Sequence, residues 1–165
     1  MKEVELRLIC ELVRNSRRSD RELATLLDVS QPTVSRIRQR LEKVGMIEYS
    51  GVPDLAKLGY EIIAVVLGKR DHAKYPESLV QVARDFVKQH PNIIFAADGN
   101  GLDYDVISIS IHKDYSDYSK FMNEVRSQAG ETMKADSFLI NTSSEGIVQH
   151  LSLKPFAEQL IKEKE

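Results

Sequence analysis

Between Ser19 and Gly45 the sequence commits the chain to two short helices that must cross at close range. Ser19-Asp20-Arg21-Glu22 fits a capping box, in which the Ser hydroxyl accepts from a free amide and the Glu side chain reaches back. Leu23, Ala24, Leu26 and Leu27 continue as the apolar side of a helix, and Asp28-Val29 leaves room only for a tight turn. Ser30 can cap a second helix with Gln31-Pro32 in its first turn, where proline is tolerated because those amides have no helical partner. Ala24 sits where the two helices approach, Val29 fills the turn, and Val34 and Ile37 lock the second helix onto the first. A small residue, a tight turn and two aliphatic residues at these offsets form the spacing of a helix-turn-helix. Asp28 stands where glycine is common, so an aspartate must supply the left-handed turn conformation. Gly45 marks the end of the second helix.

A preceding helix is read from Val4, Leu8 and Leu12 with Leu6, Ile9 and Val13 beside them, ended by the polar stretch Asn15-Ser16-Arg17-Arg18. The helix after Ser30 is divided by its own periodicity. Val34, Ile37, Leu41 and Val44 gather on one side, while Pro32, Ser35, Arg36, Gln39 and Lys43 project from the other, and Arg38 and Arg40 flank the apolar stripe. Its outward side carries no acid before Glu42. Charge follows the same division: residues 14–43 hold eight basic against four acidic residues, although the whole chain has a formal charge of −2. A local basic patch on an acidic chain is compatible with nucleic acid and equally with a solvated helix face.

Beyond Gly45 the period changes. Residues 47–49 read as a short strand and Gly51-Val52-Pro53-Asp54 as a turn-rich connector. Tyr60 to Leu67 is a β-rich run between Gly59 and Gly68; residues 77–90 are helical, with Leu79, Val82, Ala83, Phe86 and Val87 on one face. Residues 92–97 form a second strand, Asp98 to Asp103 a turn, and residues 105–112 a third strand alternating Ile107, Ile109 and Ile111 with Ser108, Ser110 and His112. A helix over 115–129 and a fourth strand over 135–142, with Phe138 and Ile140 on one face, complete the order βαββαβ of a ferredoxin-like domain. The fold class is therefore α+β: an N-terminal helix-turn-helix, winged-helix-like domain at 1–50, a connector at 51–59, a ferredoxin-like domain at 60–145 and a helical tail at 146–165, where Leu153, Phe156 and Leu160 recur at helical spacing. Helices on one face leave the other face of such a sheet uncovered, and a homodimer packing sheet to sheet would cover it.

Composition narrows the classes. A chain of 165 residues, 42% hydrophobic, has enough apolar side chains for a core and is not disordered. No run approaches the ~18 apolar residues of a membrane span, and Met1-Lys2-Glu3-Val4-Glu5 is no signal peptide, so a cytoplasmic protein without membrane association is expected. Cys10 stands alone, which excludes an internal disulfide and a cysteine zinc cluster. His72, His90, His112 and His150 lack metal-ligand spacing, and no nucleophile-base motif, P-loop or dinucleotide fingerprint occurs. Neither a metal nor a cofactor is expected.

Arg21-Glu22-Leu23-Ala24, Val29-Ser30-Gln31-Pro32-Thr33-Val34, Arg36-Ile37 and Leu41-Glu42-Lys43-Val44-Gly45-Met46-Ile47 resemble the leucine-responsive/asparagine-regulator (Lrp/AsnC) family of transcription factors. Asp54-Leu55-Ala56-Lys57-Leu58-Gly59-Tyr60 is similar to that family's connector, and Asp103-Tyr104-Asp105-Val106 to the start of its third core strand. The resemblance covers roughly residues 1–142. It implies a DNA-binding head and a body that oligomerises, with dimers assembling into tetramers or octamers. It also implies an amino acid effector near the loop joining strands two and three, here Asp98, Gly99, Asn100, Gly101, Asp103 and Asp105. In this chain the loop reads as longer than the family's, with its glycines displaced.

The expected function is sequence-specific binding of double-stranded DNA by a transcriptional regulator. The third helix enters the major groove, with Gln31, Pro32, Ser35, Arg36 and Gln39 facing bases, where Arg suits guanine and Gln adenine. Arg17, Arg18, Thr33, Arg38 and Arg40 hold phosphates and fix register. Two other readings compete. One is a metabolite-sensing or interaction module that has lost DNA binding, against which the basic face argues. The other is an enzyme similar to the sirohaem decarboxylases, which would need His, Arg and aromatic groups around a tetrapyrrole; the chain has no Trp, and its strand-two/strand-three region offers only His112.

Overall fold

The computed structural model describes residues 2–143, 145 and 147–162, which leaves Gly146 and the last three positions of the expected tail outside the described residues. Two compact units result: Met1–Val52 together with Gln149–Glu165, and Pro53–Val148. Among the described residues no helix is long and apolar enough to cross a membrane.

The first unit is helical: α1 (Glu3–Arg14), α2 (Asp20–Leu27), α3 (Gln31–Lys43) and, from the far end of the chain, α6 (Lys154–Lys162). Leu8, Leu12, Leu23, Leu27, Val34, Ile37 and Leu41 close a single core in which Ala24 is also buried, as the close α2–α3 approach requires. The capping box forms as written: Ser19 N–H donates to Glu22 at 2.7 Å and Glu22 N–H to the Ser19 hydroxyl at 3.3 Å. Asp28 does adopt the left-handed conformation, at φ 54°. Gly45, at φ 67°, ends α3 in a Schellman turn, with Met46 N–H donating to the Leu41 carbonyl at 2.9 Å. The tail helix packs on α1, with Ala157 fully buried against Leu6 and Cys10. The short strand expected at residues 47–49 does not form. It has no partner strand in this unit, and a lone strand leaves its amides and carbonyls unpaired; Ile47 packs on the helical core instead.

The second unit is a four-stranded antiparallel sheet in the order β2-β3-β1-β4, built from β1 (Ile62–Arg70), β2 (Ile93–Gly101), β3 (Tyr104–His112) and β4 (Met133–Asn141), with α4 (Glu77–Gln89) and α5 (Tyr115–Ala129) in the crossovers. Gly68 does not end β1. It lies inside the strand, where a Cβ would meet Met133 Sδ at 3.1 Å and Val106 Cβ at 3.4 Å, so the missing side chain permits the close packing.

Register decides the faces. Ala64 and Val66 pack with Tyr118, Phe121 and Met122 of α5. Ser110 and His112, on the same face, are fully buried. The isoleucine side of β3 therefore points away from the helices. There Ile109 aligns with Val65 and Phe95, Val65 with Phe138, and Ile63 with Ile111 and Ile140. Phe138 remains 69% exposed and Phe95 50%.

His112 carries a measurable consequence. Its Nε2 and the Ser110 hydroxyl lie 2.9 Å apart, and the ring edges onto Tyr118 and tilts against Phe121. Asp117, 3.6 Å away, is the one acidic group near it among the described residues. Burial pulls the imidazole below its ordinary value, outweighing the attraction of Asp117. The unfolded chain then binds the proton more readily than the folded one, so the stability due to neutral His112 is complete above about pH 6.5 and declines as pH falls below it. Urea unfolding at pH 7.5 and 5.5 should show a loss of stability that a His112→Asn variant does not share.

Candidate nucleic-acid interface

The outward side of α3 is set by the core beneath it. With Val34, Ile37 and Leu41 buried, Gln31, Pro32, Arg36, Gln39 and Lys43 are exposed. Among the described residues, the guanidinium of Arg36 and the amides of Gln31 and Gln39 have no hydrogen-bond or ion partner, which leaves their donors and acceptors available to a ligand. Arg17 is likewise exposed and free in its side chain.

Two of the expected contacts are engaged within the protein itself. Ser35 is half-buried, and its hydroxyl donates to Asp20 Oδ2 at 2.5 Å, so it binds α3 to α2 rather than offering itself to a base. Arg38 is an internal strut: Nη1 donates to Asp20 Oδ1 at 3.1 Å, and Nε to Glu42 at 3.3 Å and to the Tyr49 hydroxyl at 3.0 Å, with the guanidinium 5.0 Å from the Tyr49 ring centroid. The periodicity placed Arg38 correctly on the shoulder of the helix. It gave no sign that acids on α2 and α3 and a tyrosine beyond the helix would surround it.

The other expected phosphate anchors are also partly engaged. Arg18 pairs with Glu11, and Arg40, still half-exposed, pairs with Glu5. The Thr33 hydroxyl lies 2.8 Å from that of Ser30. Two exposed cations outside the expected set, Arg21 and Lys43, have no ion partner among the described residues. Arg21 could have been suspected from its place in the first turn of α2, beside the residue that bonds α3.

Asp20 is the residue the sequence reading missed. Nothing in the capping segment signals that its carboxylate will join Ser35 and Arg38, fifteen and eighteen positions away. The Ser35 hydroxyl, with Arg38 behind it, holds the Asp20 carboxyl below its ordinary value against the opposing effect of burial. Asp20→Ala should release both side chains and destabilise the helical unit by about 1 kcal/mol, the worth of a charged hydrogen bond partly screened by water. Urea unfolding at neutral pH measures it.

The hairpin expected to hold an effector is tighter than its sequence suggested. Asp98 to Gly101 belong to β2, and the turn is only Leu102-Asp103, both at positive φ. That pair of left-handed residues matches the twist of a two-residue hairpin. A register shift between Asp98 and Gly101 sets Gly99 and Asn100 together opposite Asp105, a bulge in the ladder. The carboxylates are taken up by the end of β1. Asp98 pairs with Arg70, Asp103 with Lys69, and Asp105 accepts from Arg70 N–H at 2.8 Å and faces His72 at 3.3 Å. The Arg70 amide holds Asp105 below its ordinary carboxylate value. Among the described residues no group of three or more His, Cys, Asp or Glu side chains is placed to hold a metal ion.

Residues 1–48 match the family model for winged helix-turn-helix DNA-binding domains. The chain is 34% identical over 127 residues to an uncharacterized HTH-type transcriptional regulator of Pyrococcus furiosus, an alignment covering 76% of this chain and 82% of the relative. Bacillus subtilis LrpC superposes with a TM-score of 0.71 at 23% identity, over 90% of this chain and 99% of LrpC. A transcriptional regulator from Neisseria meningitidis, solved as a complex with L-Met, superposes with a TM-score of 0.77 at 18% identity, over 94% and 99% of the two chains.

Proposed function

Because the chain belongs to the HTH-type transcriptional regulators and carries their N-terminal winged helix-turn-helix, we propose that it is a regulator of the Lrp/AsnC type, whose fold it shares, and that it reads double-stranded DNA by laying α3 in the major groove, with Gln31, Pro32, Arg36 and Gln39 against base edges. The observation that carries this reading is the unpartnered row of donors and acceptors on α3, free of acids until Glu42. Arg17 and the cations Arg21 and Lys43 supply phosphate contacts; Arg40 joins them by exchanging Glu5 for a phosphate, and Thr33 by turning its hydroxyl from Ser30. Arg38 and Arg18 act at one remove, by holding α3 and its neighbours in place. Selection of bound duplexes from a random pool tests this reading, which requires a defined sequence motif to emerge.

The functional species is a homodimer joined through the open sheet face. Ile63, Val65, Ile109, Ile111, Phe138 and Ile140 form a continuous apolar surface on one side of the sheet, and monomers rarely leave such a surface to water. A twofold pair would present two copies of α3 to two half-sites. Sedimentation at micromolar concentration should return twice the mass of one chain; the mass of one chain would overturn it. The protein acts with its DNA, in the cytoplasm.

A small-molecule effector such as an amino acid completes the proposal, supported by the L-Met complex of the Neisseria meningitidis protein. With Asp98, Asp103 and Asp105 held by β1, the exposed bulge at Gly99 and Asn100 is the part of the hairpin that such a ligand would meet. Operator affinity measured with each amino acid in turn should change for at least one of them.

A further inference from the structure

Between Gly45 and β1 the chain forms neither helix nor strand, yet two residues of this stretch still lie on the helical unit they are leaving. Ile47 packs on its core. Tyr49 folds onto Arg38: Nε donates to the hydroxyl at 3.0 Å, and the guanidinium carbon lies 5.0 Å from the ring centroid. Arg38 is itself a fixed post, engaged also by Asp20 and the Arg18 carbonyl on one side of the turn and by Glu42 on α3. A guanidinium held in this way presents a planar face on which an aromatic ring can rest. Immediately beyond Tyr49 the anchoring stops. Ser50, Gly51, Val52 and Pro53 are exposed and make no backbone-to-backbone hydrogen bond. The next such bond, from Leu58 N–H to the Asp54 carbonyl at 3.2 Å, already belongs to the second unit. Tyr49 is therefore the last residue held by the helical unit. The other link between the units, residues 142–153 between β4 and α6, is longer, so the connector is the tighter tether.

We propose that Tyr49 sets the spacing between two DNA half-sites, by pinning the end of the helical unit to Arg38 and so fixing the point from which the connector runs. In the homodimer and the α3–DNA contact proposed above, on which this rests, the outward side of α3 chooses the sequence of each half-site. The distance between half-sites is limited instead by the reach of the two connectors. Releasing Tyr49 hands it and Glu48 to the connector, each with about 3.3–3.6 Å of added reach. The gain of ~7 Å per protomer equals about two base pairs at ~3.4 Å each. Sequence and spacing are thus read by different residues.

Selection of bound duplexes from a random pool, run on the unaltered chain, Tyr49→Phe and Tyr49→Ala, tests this assignment. The unaltered chain and Tyr49→Phe, which keeps a ring over the guanidinium, are expected to return paired half-sites at one dominant spacing. Tyr49→Ala should return the same half-site sequence at spacings spread over about two to four further base pairs. A single retained spacing in Tyr49→Ala overturns the proposal, and so does a changed half-site sequence, which would make Tyr49 a support of α3 alone. Absence of paired half-sites from the unaltered chain would overturn the dimeric DNA reading and this assignment with it. Backbone amide relaxation of the unaltered chain gives a check that needs neither DNA nor a variant. Its amides should stay rigid through Tyr49 and loosen from Ser50; loosening that begins before Tyr49 overturns the pin even if Tyr49→Ala does not fold.

Discussion

Arg36→Ala is expected to lower affinity for the selected operator by about 1–3 kcal/mol, roughly a tenfold to hundredfold loss, while leaving affinity for random duplex nearly unchanged. Arg36 is exposed on α3 and free of any protein partner among the described residues, so its removal costs the fold little. A bidentate guanidinium on a guanine edge discriminates between bases, whereas a phosphate contact does not. Arg17→Ala provides the contrast. It should weaken specific and random DNA alike and reduce the slope of log affinity against log salt by roughly 0.9. Electrophoretic or anisotropy titrations at several salt concentrations separate the two behaviours. Equal losses on specific and random DNA for both variants would remove Arg36 from the base-reading set.

Ile109→Glu should keep the protein monomeric where the unaltered chain forms the proposed homodimer. Ile109 lies at the centre of the open face, aligned with Val65 on one side and Phe95 on the other. In a single chain its side chain is only half-buried, so a glutamate there keeps its hydration and the sheet still folds. Across a twofold interface the same substitution places two like charges in one apolar layer, each with a desolvation penalty of several kcal/mol. Sedimentation equilibrium reads the mass directly, and far-ultraviolet dichroism confirms that the fold survives. DNA affinity should fall with the mass, because a monomer engages one half-site and loses the gain of a linked second contact. Ile109→Val, which keeps the face apolar, should remain dimeric.

Local signals were legible where local physics decides. The capping box at Ser19, the proline-led start of α3 and the glycine stop at Gly45 concern neighbours within one or two turns, and each formed as the residue types require. The helix-turn-helix spacing followed from the same source, since Ala24, Val29, Val34 and Ile37 report which sides of two adjacent helices must meet. The exposure of Gln31, Pro32, Arg36 and Gln39, the proposed base readers, followed from periodicity alone. Ser35 lies on that same stripe but is half-buried and turned inward, because its nearest partner is a carboxylate on another helix. The hairpin was misjudged for a related reason. Asp, Gly and Asn suggest a loop, but pairing with β3 draws Asp98 and Gly101 into the sheet and leaves only two residues to turn.

By itself, then, the sequence determined where the helices begin and end, which residues of α3 face away from its core, and the alternating order of strands and helices, since these depend on chemistry between residues a few positions apart. Tertiary structure alone decided which cations are spent inside the protein and which face of the sheet stays open. Alternation in β3 is compatible with either side facing inward. Only the packing of α5 onto Ala64, Val66, Ser110 and His112 turns the isoleucines outward, through contacts between elements that no stretch of neighbouring residues encodes.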